Sequence, residues 1–192
     1  MPDNLEIERR FMVDGSQKKP WRQCESQTHI VQYYLNAPDL SLTEHALSYN
    51  GIQLVVLDDN QYNQFVSDSE WTVRIRFSDE LTYLTIKGRR TMATAVEFEW
   101  SLERATAEHL LTLADFPAIE KTRFNWRGVD GLLWEVDEFI GRFDGLIVAE
   151  IELLNEEQSV ILPSWLGREL TGKHAWSNAR LAARGDWQSI TD

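Results

Sequence analysis

Leu5-Glu6-Ile7-Glu8-Arg9-Arg10-Phe11-Met12-Val13 is the stretch whose reading decides the fold. In an extended strand successive side chains point to opposite faces, so Glu6, Glu8 and Arg10 share one face while Ile7 and Phe11 share the other. Two carboxylates and a guanidinium on one face are costly to desolvate. They are tolerable only where they meet a metal, a polyanion or counter-charges.

Working outward, the same two-faced pattern returns in one segment after another. Thr28 to Leu35 is rich in β-branched and aromatic residues and predicts a strand. Trp71 to Phe77 places Arg74 and Arg76 opposite Val73, Ile75 and Phe77. Leu81 to Gly88 sets Thr85 and Lys87 against Leu84 and Ile86, and Ala95 to Trp100 sets Glu97 and Glu99 against Val96, Phe98 and Trp100. Ile119 to Trp126 pairs Lys121 with Arg123, Leu132 to Phe139 pairs Glu135 with Asp137, and Leu146 to Leu154 pairs Glu150 with Glu152. Gly15 to Pro20 predicts a polar turn, and Trp21 to Ser26 a short linking segment or helix. Asp39 to Ser69 reads as an insertion near a barrel rim, with a short hairpin including Gln53 to Leu57. Helical spacing appears at Thr106 to Phe116, where Leu110, Leu111 and Leu113 are available for burial. It returns at Glu156 to Leu170, interrupted by Pro163, and at His174 to Gly185.

For any single strand, a polar face that simply meets water is the better explanation. Over the set that explanation weakens, because same-sign pairs at i and i+2 recur opposite bulky aromatic faces that must be covered. The pattern predicts an α+β, mainly β fold: about eight antiparallel strands closed into a barrel, charges lining the lumen and helices packed outside. Eight carboxylates (Glu6, Glu8, Glu97, Glu99, Glu135, Asp137, Glu150, Glu152) would then face six cations (Arg10, Arg74, Arg76, Lys87, Lys121, Arg123). Carboxylate oxygens suit Mg²⁺ or Mn²⁺, and paired Arg and Lys suit phosphoryl oxygens. The excess of acids implies that a bare polyanion enters only with added cations, so metal dependence is expected.

The rest of the sequence narrows the choices. At 192 residues the chain fits a single domain, residues 1–192. A net charge of −12 disfavours nucleic acid and anionic membrane as partners. No apolar run reaches membrane-spanning length, nothing near Asp3 reads as a signal peptide, and the lone Cys24 fits a reducing cytosol. No GxxxxGK[ST], GxSxG or HExxH motif is present, and His29, His45, His109 and His174 lack ligand-like spacing. Oligomeric state is not legible.

The ordered set of segments resembles the CYTH superfamily, or triphosphate tunnel metalloenzymes. It runs from Glu6-Ile7-Glu8-Arg9-Arg10 through Gln32-Tyr33-Tyr34-Leu35, Val73-Arg74-Ile75-Arg76, Thr85-Ile86-Lys87-Gly88, Glu97-Phe98-Glu99, Lys121-Thr122-Arg123 and Glu135-Val136-Asp137 to Ala149-Glu150-Ile151-Glu152-Leu153. Thr171 to Ala182 is similar to that family's TGDxxYxNxxLA segment. The resemblance implies an eight-stranded tunnel that hydrolyses a triphosphate with a divalent metal. By it, Glu6 and Glu8 hold the metal on the substrate, and Glu150 and Glu152, with Glu97 or Glu99, hold a second metal or orient the attacking water. Arg10, Arg74, Arg76, Lys87, Lys121 and Arg123 grip the phosphates, and Arg10, Lys87, Glu150 and Glu152 stand closest to the chemistry. Two departures stand out: Arg10 replaces the motif's lysine, and Lys173 and Trp176 replace its aspartate and tyrosine. Inorganic tripolyphosphate is the expected substrate. Thiamine or nucleoside triphosphates, a class IV adenylyl cyclase reaction, and a polyphosphate or nucleotide binding module without catalysis are the alternatives. Tyr49 or Tyr62 could supply base stacking for a nucleotide.

Overall fold

The computed structural model describes residues 4–16, 18–24, 26–68, 70–89 and 91–190. Asp3, Gln17, Glu25 and Ser69, each cited or spanned above, lie outside the described residues. The alternating segments form β1 (Leu5–Val13), β2 (Ser26–Leu35), β6 (Thr72–Ser78), β7 (Leu81–Lys87), β8 (Thr94–Ser101), β9 (Ala118–Arg127), β10 (Leu133–Phe139) and β11 (Ile147–Glu152). These eight pair antiparallel in the cyclic order β1, β8, β7, β6, β2, β9, β10, β11, and β11 pairs back onto β1. Closure removes the sheet edges and divides every strand into a lumen face and an outer face.

The outer faces carry the core. Ile7, Phe11, Trp134, Val136, Ala149 and Ile151 pack with Trp21 and Trp165 on one flank. Val73, Ile75, Leu84, Ile86 and Phe98 pack on another. That second flank is covered by the insertion, which folds as β3 (Leu40–Thr43), β4 (Ala46–Tyr49) and β5 (Ile52–Val56) in a small sheet, followed by α1 (Asp59–Val66). Asp58 caps α1 and forms a reciprocal capping box with Gln61. The expectation of a rim insertion is corrected on this point, because Leu47, Tyr49, Leu57 and Phe65 are buried against the outside of the barrel. Tyr49 is fully buried and its hydroxyl donates to Asp39, while Tyr62 stacks on His45. Neither ring lines the lumen.

Helix α2 (Arg104–Leu111) also covers this flank through Ala107 and Leu110. It stops short of the expected Phe116, with the Thr112 hydroxyl bonding back to the His109 carbonyl and Leu113 left exposed. Pro117 disfavours helical backbone at the residue before it. Trp21 sits in a 3₁₀ turn, Pro20–Gln23. The span Glu156 to Leu170 is not helical. It is irregular as far as β12 (Leu166–Glu169), which pairs with β1 through Phe11↔Glu169 and Val13↔Leu166. The reason is non-local: β8 leaves β1 after Ile7, so the outgoing half of that edge has unpaired backbone groups that β12 satisfies. Helix α3 (Asn178–Arg184) follows a 3₁₀ turn at His174–Trp176 and ends at Gly185, whose φ of 72° is the left-handed cap. Trp176, Leu181 and Leu170 close one end of the barrel against Tyr34, Ile119, Phe139 and Val148. Among the described residues no helix is long and apolar enough to cross a membrane.

Candidate functional site

Every residue singled out from the sequence as catalytic, substrate-binding or metal-binding lines one cavity of about 1070 Å³ inside the barrel. The strand order sorts their charges. Going round the barrel, β8 brings Glu97 and Glu99, β1 Glu6 and Glu8, β11 Glu150 and Glu152, and β10 Glu135 with Asp137 behind it. The other half of the circuit is β9 with Lys121 and Arg123, β2 with Gln32 and Tyr34, β6 with Arg74 and Arg76, and β7 with Thr85 and Lys87. One contiguous half of the wall is therefore acidic and the other basic, and Arg10 alone among the described wall residues carries a cation on the acidic half.

Where the halves meet, opposite charges pair directly. At the β9–β10 seam, buried Asp137 holds both Lys121 and Arg123, and Arg123 also reaches Glu135 and, at 3.1 Å, Glu150. Burial opposes ionisation of Asp137, but Arg123 and Lys121 together hold its carboxyl below the usual range. Burial, then the neighbouring Arg123, push the Lys121 ammonium down to about 8. At the β7–β8 seam, Lys87 donates to Glu6 at 2.8 and 3.0 Å and pairs with Glu97, while Arg76 donates to both oxygens of Glu99 at 2.8 and 2.9 Å. Arg74 donates to Thr85, which passes a hydrogen bond on to Glu99.

Away from the seams the acidic half is crowded. Glu8 and Glu152 lie directly opposite one another in the β1–β11 register. Burial and the neighbouring Glu150 and Glu6 raise the proton affinity of Glu8, and burial with Glu135 and Glu6 raises that of Glu152. Glu150 behaves differently. Burial opposes its charge, yet Arg10, Lys121 and Arg123 hold its carboxyl far below the usual range. The centre of the basic half is the buried β2 pair, with Gln32 donating to the Tyr34 hydroxyl and burial pushing that phenol up to about 12.

Arg10 is committed to the protein. Its Nε lies 2.7 Å from Glu150 Oε1, its Nη1 donates to the Trp176 carbonyl at 3.2 Å and its Nη2 to Asn178 Oδ1 at 3.3 Å. Its backbone N donates to Thr171 Oγ1, and its carbonyl accepts from Leu170 N. The expected grip of Arg10 on the phosphates thus competes with contacts that fix the C-terminal segment.

Among the described residues, no three His, Cys, Asp or Glu side chains already stand close enough to share an ion. The chemistry of the donor set nevertheless fits a hard cation. Glu8 and Glu152 face each other on a wall whose carboxylates raise one another's proton affinity, and an oxygen-seeking divalent ion relieves that repulsion. Sequence reading assigned no role to Gln32, Tyr34 or Thr85, although all three belong to quoted segments. Their signal was a polar side chain on the lumen face of a strand. It also missed Arg89, Lys173, His174 and Arg180, which line the same cavity at the end closed by the C-terminal segment and lie on no alternating strand.

No protein-family model matches the chain. It is 39% identical to an inorganic triphosphatase of Acetivibrio thermocellus over 115 residues, which is 59% of this chain and 73% of that protein. It is 30% identical to an inorganic triphosphatase of Nitrosomonas europaea over 112 residues, 57% of this chain and 74% of that one. A crystal structure of an inorganic triphosphatase superposes with a TM-score of 0.56 at 26% identity, covering 92% of this chain and 93% of the other.

Proposed function

Since the chain belongs to the CYTH superfamily of triphosphate tunnel enzymes, we propose that it hydrolyses inorganic tripolyphosphate with Mg²⁺ or Mn²⁺. The observation that carries this reading is the division of a closed lumen into one acidic and one basic half. Such a cavity suits a ligand that is itself two-sided, a phosphate chain on one flank and its cations on the other.

Arg74, Arg76, Lys87, Lys121 and Arg123 bind the phosphate oxygens. They are held by carboxylates before substrate arrives, so little reorganisation is needed when negative charge builds on the transferred group. Glu6, Glu8 and Glu152, with Glu97, Glu99 and Glu150 as further carboxylates, would hold the divalent ion, which supplies charge neutralisation at the phosphates. Glu150, tied to Arg10 and Arg123, serves as a fixed anchor. Glu152, whose charged neighbours are carboxylates, is the one we assign to orienting the attacking water. Water oxygen bonds to a terminal phosphorus, the bridging P–O bond breaks, and orthophosphate and pyrophosphate leave. Burial of Tyr49 and the stacking of Tyr62 on His45 remove the two rings considered for base stacking, which favours tripolyphosphate over ATP or thiamine triphosphate.

The test is orthophosphate release from tripolyphosphate, ATP and thiamine triphosphate, with Mg²⁺ or Mn²⁺ and with excess chelator. The expected result is the highest kcat/KM on tripolyphosphate and none under chelation. Cyclic AMP among the products of ATP, or tripolyphosphate bound without turnover, would overturn it.

A further inference from the structure

Three lumen-face side chains on neighbouring strands stand in one row across the barrel wall. Arg74 on β6 lies in register with Thr85 on β7, and Thr85 in register with Glu99 on β8. Directly opposed residues on adjacent strands lie about 4.5–5.5 Å apart at Cβ, so a short middle side chain can touch both long ones. Thr85 is fully buried, and its hydroxyl accepts from Arg74 Nη2 at 3.1 Å and donates to Glu99 Oε2 at 3.0 Å. A hydroxyl has one proton to give. With that proton on Glu99, only oxygen lone pairs are left for Arg74.

Arg74 is thereby the exception among the six cations of the lumen. Arg10, Arg76, Lys87, Lys121 and Arg123 each stand at hydrogen-bond distance from a carboxylate. The Arg74 Nη2 is instead 3.8 Å from both Glu97 and Glu99, beyond a hydrogen bond. A second hydrogen-bonding neighbour is Tyr34, a phenol that burial keeps neutral by pushing its pKa up to about 12. The Nε of Arg74, like that of Arg76, is buried and meets no acceptor among the described residues, but Arg76 already gives Nη2 to both Glu99 oxygens. A guanidinium held by two neutral hydroxyls keeps its orientation without having its charge cancelled.

We propose that Thr85 is a positioning residue: its hydroxyl keeps the Arg74 guanidinium off Glu97 and Glu99 and ready to donate to a phosphoryl oxygen of the substrate. The inference rests on the triphosphatase reading and names what prepares one of its phosphate-binding groups. Without the hydroxyl, Arg74 and Glu99 lose their shared partner and close the 3.8 Å gap into a direct ion pair, which the substrate must then break.

The test measures kcat and KM on tripolyphosphate for wild type, for Thr85→Val, which keeps the branched shape, and for Thr85→Ser, which keeps the hydroxyl. The expected result is a KM about tenfold higher in Thr85→Val, the weight of one hydrogen bond to a charged group, with kcat within about threefold and both constants of Thr85→Ser within about threefold of wild type. A merely structural Thr85 would carry the same penalty in any background, so the valine change is repeated in Arg74→Ala. There it is expected to raise KM by less than about twofold. An unchanged KM in Thr85→Val, a serine variant as impaired as the valine one, or an undiminished effect in Arg74→Ala overturns the assignment. Equilibrium binding, in Mg²⁺, of a tripolyphosphate analogue with methylene groups in place of the bridging oxygens separates the two readings. If wild type fails to hydrolyse tripolyphosphate, the function fails, while a loss of analogue affinity in Thr85→Val that serine restores still upholds the positioning role. Equal affinity in all three proteins, or no binding by wild type, refutes it.

Discussion

Arg123, on the basic half of the lumen, reaches Glu135, Asp137 and Glu150, whereas Glu8 and Glu152, on the acidic half, face each other in register with carboxyl affinities for protons raised rather than lowered. The basic wall is neutralised by the protein itself. The acidic wall is left with negative charge in excess, and relief must come from outside. This difference teaches which half is charge-compensated before a phosphate chain arrives and which half has room for added cations, and it can be broken at four places.

The largest effect is expected at the β9–β10 seam. Asp137→Ala takes the ion-pair partner from buried Lys121 and one of three from Arg123, and should cost about 3–5 kcal/mol of stability, read as the urea unfolding midpoint. A loss under about 1 kcal/mol would mean that the basic wall does not depend on this carboxylate.

On the acidic wall the sign reverses. Glu8→Gln or Glu152→Gln should lower kcat/KM on tripolyphosphate about 10²–10³-fold, on the order of 2.7–4 kcal/mol, by analogy with removing one preorganised charge contact. The same changes remove like-charge repulsion, so the metal-free protein should melt about 2–4 °C higher per 1 kcal/mol relieved. Lower activity together with a lower Tm would contradict the excess of charge on this wall.

Arg10 tests the exception. Arg10→Ala leaves Glu150 with fewer partners and frees the Trp176 carbonyl and Asn178, an expected loss of about 2–3 kcal/mol, whereas Arg10→Lys keeps a cation beside Glu150 and should cost about 1 kcal/mol. Hydrogen exchange over residues 171–178 should quicken in both, and more in the alanine variant. Unchanged exchange would place Arg10's role entirely on substrate.

The smallest effect is a pH limb. Lys121 is a cation whose pKa is lowered to about 8, so it carries charge below that pH and loses it as pH rises through it. The kcat/KM on tripolyphosphate should fall by at most about tenfold above pH 8, about 1.4 kcal/mol of lost grip. Lys121→Arg should move this limb upward, since arginine stays charged.

How much of this was legible beforehand follows from the range of each interaction. Alternation at i and i+2 is local, so Glu6 and Glu8, Arg74 and Arg76, or Glu150 and Glu152 announce a shared face without any neighbour. Order along the chain was enough to expect a barrel with those faces inside. The C-terminal span was misread for the opposite reason. Helical spacing around Pro163 is a weak local signal, and it was overruled by the hydrogen-bonding groups that β1 leaves unpaired where β8 departs.

By itself the sequence determined the eight barrel strands, their two faces and the inventory of charges, because pleat geometry fixes where successive side chains point. Tertiary structure alone decided which charges cancel. Asp137 meets Lys121 and Arg123, Arg10 turns to Glu150 and Asn178, and Glu8 is set against Glu152, all through strand order and register. Coulomb energies depend on distance and burial, which are settled only when strands far apart in sequence close into one wall.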